Sequence, residues 1–366
     1  MKKILICIFL VILMALSGCS ASKNQTRETA TSGAKTLSIT DMAGRQVEVP
    51  KTINKVLSTT PVGTIIMYSL NPKKIAGQNW TPTETEKVYL DKDYLNLPML
   101  SGWYADGKVG NVEEIIKAAP DILLLNFSGK ATQANLDQAG NLQEKLKIPV
   151  VMIDSKIQNT TNMYEFLGRL TDEKERAQKL SQYAGDLLKD IDSKAKTIDA
   201  GKKVSVYYAE GKEGLQTDPS GSEHAQVLNL VGAINVAKVE IKAVMGRSAV
   251  SAEQLLQWSP DMIIACHDQG FTAESSTYSA MIKDTRFATL KAIKNNNIYE
   301  VPYKPFNYID RPPSINRLIG LKWLGNLLYP DVYKYDLEKD TKEFYKLFYN
   351  IDLTQEQIND IYKYSR

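Results

Sequence analysis

The stretch Asn111-Val112-Glu113-Glu114-Ile115-Ile116-Lys117-Ala118-Ala119-Pro120-Asp121-Ile122-Leu123-Leu124-Leu125 has a chemical counterpart in Ser251-Ala252-Glu253-Gln254-Leu255-Leu256-Gln257-Trp258-Ser259-Pro260-Asp261-Met262-Ile263-Ile264-Ala265. Glu113, Pro120 and Asp121 each lie 140 positions before Glu253, Pro260 and Asp261. Each copy reads as one unit. Asn111 or Ser251, with Glu114 or Gln254 three places on, predicts a capping box that satisfies the free N–H groups of a helix start. A short apolar helix follows, and a proline ends it because it cannot extend the hydrogen-bond ladder. The bounded apolar run after Asp121 or Asp261 is the pattern of a strand covered on both faces of an α/β sheet. Two copies so far apart imply two similar lobes, and two lobes imply a cleft.

The ends and the composition bound the possibilities. Lys2 and Lys3 precede an uncharged apolar run, Ile4 to Leu16, too short to span a bilayer comfortably and suited to a secretory leader. It closes on Leu16-Ser17-Gly18-Cys19, which resembles the bacterial lipobox, with Cys19 as the lipidated thiol. Residues 1–18 are thus expected to be a lipoprotein signal peptide, and residues 19–35, small and polar, a flexible tether. A diacylglycerol thioether with an N-acyl chain would anchor the chain stably to a membrane. The charges nearly balance, 45 basic against 42 acidic, and the lysines are scattered rather than clustered, so no nucleic-acid partner is expected. Of three cysteines, Cys7 lies in the leader and Cys19 at its end. Cys266 is left as a buried structural thiol. The mature length exceeds what one core usually serves, which favours two domains in a monomer.

Along the chain, Leu37–Thr40, a turn at Asp41–Gly44 and Gln46–Val49 read as a hairpin. Short apolar runs then alternate with helical stretches: Lys55–Ser58, Ile75–Gly77, Ile122–Asn126 and Val150–Ile153, and later Val204–Tyr208, Met262–Ala265 and Ile298–Val301. This is the alternation of a parallel sheet. Between the halves Asp172–Ile198 is charged and periodic, with Ala177, Leu180, Ala184, Leu187 and Ile191 near helical spacing. The expected fold is therefore α/β, with two Rossmann-like lobes at 36–171 and 201–366 joined by one long backbone helix at 172–200. Aromatics clustered after Trp323 read as core of the second lobe rather than a stacking platform.

The hairpin Thr40-Asp41-Met42-Ala43-Gly44-Arg45-Gln46-Val47-Glu48-Val49-Pro50, the two Glu-centred units, the long helix and the lipobox together resemble the iron-siderophore, cobalamin and haem class of bacterial ABC-transporter substrate-binding lipoproteins. The segment Arg311-Pro312-Pro313-Ser314-Ile315-Asn316-Arg317, with Trp323-Leu324 and Leu328-Tyr329-Pro330, is similar to a subgroup that includes molybdate and tungstate binders. The resemblance implies an extracytoplasmic, lipid-anchored protein. It would capture a metal chelate (ferric siderophore, haem or corrinoid) or an oxyanion, and deliver it to a dimeric ABC permease driven by a cytoplasmic ATPase. It also implies a role for Glu113 and Glu253: one exposed carboxylate per lobe, each meeting arginines of one permease subunit. From the residues alone, an acid at a helix start is better read as complementing the helix dipole.

In open α/β sheets ligands bind beyond the carboxyl ends of the strands. The candidates are therefore Thr59, Thr60, Asn79, Trp80, Trp103, Tyr104, Tyr208, Glu210, His267, Asp268 and the Tyr303–Arg311 loop, which includes Tyr308. Arg247 and Arg311 are the anion-binding candidates, because a guanidinium recognises planar or oxyanionic groups through two N–H donors. A dedicated metal cage is disfavoured, since His224 and His267 are the only histidines and no cysteine cluster exists. His267 reads as a structural histidine or as one ligand to a chelated metal. His224 reads as a cap or a cleft residue. No resident cofactor is implied. A carboxylate-pair hydrolase is the competing enzyme class, although no nucleophile elbow, P-loop or dinucleotide fingerprint supports an enzyme. A ligand-sensing subunit on the same fold is the third reading.

Overall fold

The computed structural model describes residues 35–100, 111–241, 247–267 and 276–366. Cys19, Trp103, Tyr104 and Asp268 lie outside the described residues. The chain begins with an antiparallel hairpin, β1 (Thr36–Thr40) and β2 (Gln46–Pro50). Its turn is set by Asp41, whose Oδ1 accepts from the N–H groups of Ala43 and Arg45, while Gly44 adopts a left-handed φ of 82°. Asp41 Oδ2 also accepts the N–H of Met152 at 3.1 Å, so the turn is tied to the sheet that follows.

That sheet is parallel and three-stranded, in the order β3 (Val56–Ser58), β4 (Ile122–Phe127), β5 (Val150–Asp154). The expected strand at Ile75–Gly77 is reduced to a single parallel bridge from Ile75 to Val56, because the backbone there leaves at once toward Pro98. A second parallel sheet orders β11 (Ile298–Glu300), β10 (Met262–Ala265), β6 (Ser205–Ala209) and β8 (Ile234–Asn235). A two-stranded patch, β7 (Gln216–Thr217) with β9 (Ser248–Ala249), adjoins the end of β6 through a bridge from Glu210 to Gln216. Helices cover both faces of the sheets, so β5 and β10 are buried along their whole length. The protein is thus a two-lobed α/β fold.

The duplicated unit has a duplicated geometry. The helices Val112–Ala118 and Ala252–Trp258 start at Asn111 and Ser251, whose side chains accept N–H groups of the first turn. In neither does the side chain of Glu114 or Gln254 return to the cap's own N–H, so each expected capping box is a half box. Both helices stop at a left-handed residue, Ala119 (φ 48°) and Ser259 (φ 42°), ahead of the proline. Asp121 Oδ2 then takes the N–H groups of Asn54 and Lys55 at 2.6 and 2.8 Å. Asp261 Oδ2 takes the N–H and hydroxyl of Ser205 at 3.0 and 2.7 Å. In each half the Pro-Asp pair pins the start of the neighbouring parallel strand.

Between the two sheets in sequence lies the helix Lys174–Ala195, 22 residues long and therefore about 33 Å. Its buried stripe is Ala177, Leu180, Ser181, Ala184, Leu187 and Ile191. It packs along the helix Thr160–Leu170, where the methyl group of Ala177 fills the place of a missing side chain at Gly168. The long helix therefore runs beside a partner helix rather than alone.

A second close approach positions the loop that matters most below. A Cβ at Gly320, in the helix Arg317–Leu328, would lie 1.9 Å from the carbonyl oxygen of Tyr308. Alanine ordinarily favours a helix over glycine by about 1 kcal/mol. Here the backbone contact reverses the sign, and Gly320→Ala should destabilise by about 1–3 kcal/mol or more. Urea unfolding measures it; a variant as stable as the parent would show that the helix and loop do not touch so closely.

Candidate functional site

The ends of the two parallel sheets meet. Trp80, after the Ile75 bridge, sets its ring edge-on to Phe306 from the loop after β11, at 5.2 Å between centroids. Arg317 donates from Nη2 to the carbonyl of Ser155, just past β5, at 2.9 Å, and from Nε to Ser314 at 3.1 Å. Burial lowers the Arg317 pKa to about 10, since these acceptors are carbonyls and do not neutralise it. The carboxyl ends of the strands, where α/β sheets bind ligands, therefore converge on one region.

On the first lobe that region offers neutral polar groups. Thr60 donates its hydroxyl to Asn126 at the end of β4, and Asn79 donates to the carbonyl of Ser58 at 2.8 Å. On the second lobe it offers charge. Glu210 directly follows β6, with its side chain fully buried. Its Oε1 accepts from Nε of Arg247 at 3.1 Å and from Nε of Arg311 at 3.0 Å. Arg311 also donates from Nη2 to Asp218 Oδ2 at 3.0 Å and places Nε 3.1 Å from Asp310 Oδ2. Asp310 Oδ1 holds Nδ1 of His224 at 2.7 Å, and Ser222 donates its hydroxyl to Asp218. The three carboxylates are buried, while Arg247 and Arg311 keep 24 % and 17 % of their side-chain surface exposed. Acids lie beneath and cations above.

Local structure explains how the residues meet. Arg311 itself has a left-handed φ of 61°, a strained state for a branched-free but bulky side chain. The loop is held by Asn307, whose side-chain oxygen accepts the N–H groups of Ile309 and Asp310. Asn316 donates to the carbonyl of Phe306. Asp218 is fixed through its own carbonyl by Asn235 of β8, at 3.0 Å.

The electrostatics follow from burial and pairing. Burial raises the Glu210 carboxyl to about 8; Arg311 and Arg247 oppose this, and Asp218 and Asp310 add to it. Burial also works against Asp310, but the bond and charge of His224, with Arg311, hold its carboxyl below the usual value. For His224, burial is outweighed by Asp310, and its pKa rises above 6.5. Burial opposes the Arg311 charge as well, yet the three carboxylates leave its pKa above the ordinary value.

Ligand atoms of Asp218, His224 and Asp310 lie within 4.8 Å of one another, close enough to hold a metal ion. The guanidinium of Arg311 already sits on both aspartates, however, so a bare cation would face a fixed positive charge. The trio is better described as the acidic base of an arginine cluster.

Of the other expected site residues, Trp80 is at the junction and only partly buried. Tyr208 and Tyr308 are both fully buried in the core, and Tyr308 places its hydroxyl 3.2 Å from that of Tyr345. Their position at strand ends did not expose them, because the helix Arg317–Leu328 and the C-terminal helices cover that side of the sheet. His267 is buried, with Nδ1 3.1 Å from Glu300 and its ring stacked on Tyr303 at 3.6 Å, the setting of a structural histidine. Cys266 is buried, as expected. Asp218 and His224 were not read as parts of this cluster; the turn signal Asp218-Pro219-Ser220-Gly221 was the available hint.

A family model described as a periplasmic binding protein matches residues 57–305. The chain is similar to a Bacillus subtilis (strain 168) protein named uncharacterized ABC transporter substrate-binding lipoprotein YvrC, 25% identical over 340 residues, which cover 89% of this chain and 96% of that one. Among solved structures it resembles an ABC transporter solute binding protein from Sulfurospirillum deleyianum DSM 6946, with a TM-score of 0.80 and 30% identity over 89% of this chain and 99% of the other. It shares its fold with the molybdate-bound periplasmic binding protein MolA of Haemophilus influenzae, at a TM-score of 0.68 and 23% identity over 87% and 99% of the two chains.

Proposed function

This chain belongs to the periplasmic binding protein family, and we propose that it captures an anionic solute, a metal chelate or an oxyanion, for delivery to an ABC permease. The family is one of substrate-binding proteins and not of enzymes, which sets the hydrolase alternative aside. The observation that carries the ligand class is the arginine pair. Arg247 and Arg311 stand partly exposed over buried carboxylates where the strands of both lobes end. A guanidinium recognises a planar carboxylate, catecholate or oxyanion through paired, charge-assisted N–H donors. Trp80 supplies an aromatic edge at the same junction, and Trp103 and Tyr104 are offered as further contacts. The anchor is the thioether of Cys19, which would tie an extracytoplasmic monomer to the cell membrane. Glu113 and Glu253 are the contacts to the two permease subunits, whose ATPase partner lies inside the cell.

The solute is identified by native mass spectrometry and metal analysis of protein purified from its own membrane, followed by titration of tryptophan fluorescence. A bound metal chelate or oxyanion of net negative charge is the expected result. Protein that arrives empty and ignores molybdate, ferric catecholates, haem and corrinoids would sink the reading.

A further inference from the structure

We propose that Glu210 sets which solutes the arginine cluster accepts: it yields its two guanidiniums to an anion only when it takes up a proton itself. This rests on the anionic-solute reading above and adds a selecting residue to it. Glu210 is reached from every element around it. Tyr207 and Tyr208 precede it on β6, Asp218 follows β7, Arg247 precedes β9, and Asp310 and Arg311 lie in the loop after β11, with His224 behind Asp310. Its Oε1 is shared by both arginines, whereas its buried Oε2 has no hydrogen-bond partner among the described residues.

Counting charge among these residues shows why a proton is needed. When Glu210 is ionised, it opposes Arg247 and Arg311 together with Asp218 and Asp310, and only His224, whose pKa Asp310 raises, adds to the positive side, so no net positive charge is left for a solute. An anion placed on the arginines adds a negative charge to a poorly solvated site beside three carboxylates, which is costly unless something is neutralised. Asp310 is held ionised by His224, and Arg311 sits on Asp218. Glu210 is the group that burial already inclines toward its acid form, with a value of about 8. The proton comes from solvent and lands on a carboxylate oxygen, turning Oε2 from an unpaired acceptor into an O–H donor facing the cluster. Above about pH 8, where Glu210 would otherwise be ionised, one proton enters with each anion. A neutral or cationic chelate would gain nothing from this arrangement and would compete with Arg311.

The test has two readouts on the unaltered protein and one on a variant. Isotope-edited infrared or carbon NMR spectroscopy of labelled glutamate follows the Glu210 carboxyl, identified by its absence in Glu210→Gln or, where that variant does not fold, in Glu210→Asp. It should be protonated at pH 6.5 without solute. Binding of sodium molybdate and of a ferric catecholate is then measured from pH 6 to pH 9.5 in buffers of different ionisation heat. Affinity should be level at low pH and fall about tenfold per unit above pH 8, with about one proton taken up per anion there. Glu210→Gln should abolish that slope and bind about tenfold more tightly than the parent at pH 9. Parallel pH profiles in parent and variant, or a carboxyl ionised at pH 6.5 in protein that binds the probe, would overturn the proposal while leaving the anionic reading intact. Failure of parent and variant to bind either anion, with Glu210 protonated, would overturn the anionic reading and the coupling with it.

Discussion

Replacing Arg311 with alanine should lower stability by about 3–5 kcal/mol and remove anion binding. The stability loss arises because Arg311 lies between three buried carboxylates, contacting Glu210, Asp218 and Asp310 at 3.0–3.1 Å. Removing one partner of a buried ion network leaves the others desolvated and uncompensated, which costs more than the network itself contributes. The loss should grow with pH. A carboxyl whose folded pKa stands above its unfolded value, as Glu210 does at about 8, holds a proton that the unfolded chain has already released. Stability therefore falls as pH rises between those two values. Without the guanidinium the Asp310 carboxyl should rise as well, widening the effect. Urea unfolding at pH 6 and pH 9 measures this directly. Equal midpoints for parent and variant at both pH values would mean the cluster does not stabilise the fold. Arg311→Lys keeps the charge but not the fork that reaches Asp218 and Glu210 together, so it should recover part of the stability and little of the binding.

How much of this was legible beforehand depends on how local each signal is. The two helix–strand units were readable because cap, apolar helix, proline and buried run follow one another without interruption. The parallel sheets and the long helix came from periodicity in the same way. Arg247, Arg311 and Glu210 could be picked out as charged residues next to strand ends. What joins them could not. Asp218 and His224 reach the cluster through a turn and a single helical turn that carry no periodic pattern, and β7 and β9 pair over two residues each. Burial divides the described aromatic candidates for a related reason. In a sheet covered on both faces, alternation no longer separates cleft from core, so Tyr208 and Tyr308 looked equivalent to Trp80 until packing distinguished them.

Reversing the charge of both Glu113 and Glu253 to lysine should abolish uptake while leaving the fold and the solute affinity as they were. Both residues are exposed in the first turn of their helices, and neither carboxylate completes the reciprocal half of a capping box. The caps are made by Asn111 and Ser251, so the fold loses only the helix-dipole interaction and, at Glu253, exposed local hydrogen bonds. Hydrogen bonds from its own N–H and from Ser251 keep the Glu253 carboxyl below its usual pKa and hence ionised. What the repeat supplies is placement. The same strand-pinning Pro-Asp unit fixes one carboxylate at an equivalent point beside each parallel sheet. Two equal charges so placed suit a partner with two equal halves. Charges at the rim of an interface govern encounter and orientation, so stimulation of the permease ATPase in proteoliposomes should weaken as salt rises. Each single reversal should reduce stimulation, and the double reversal should eliminate it. A double variant that binds solute and still drives transport at the parental rate would remove both glutamates from the interface.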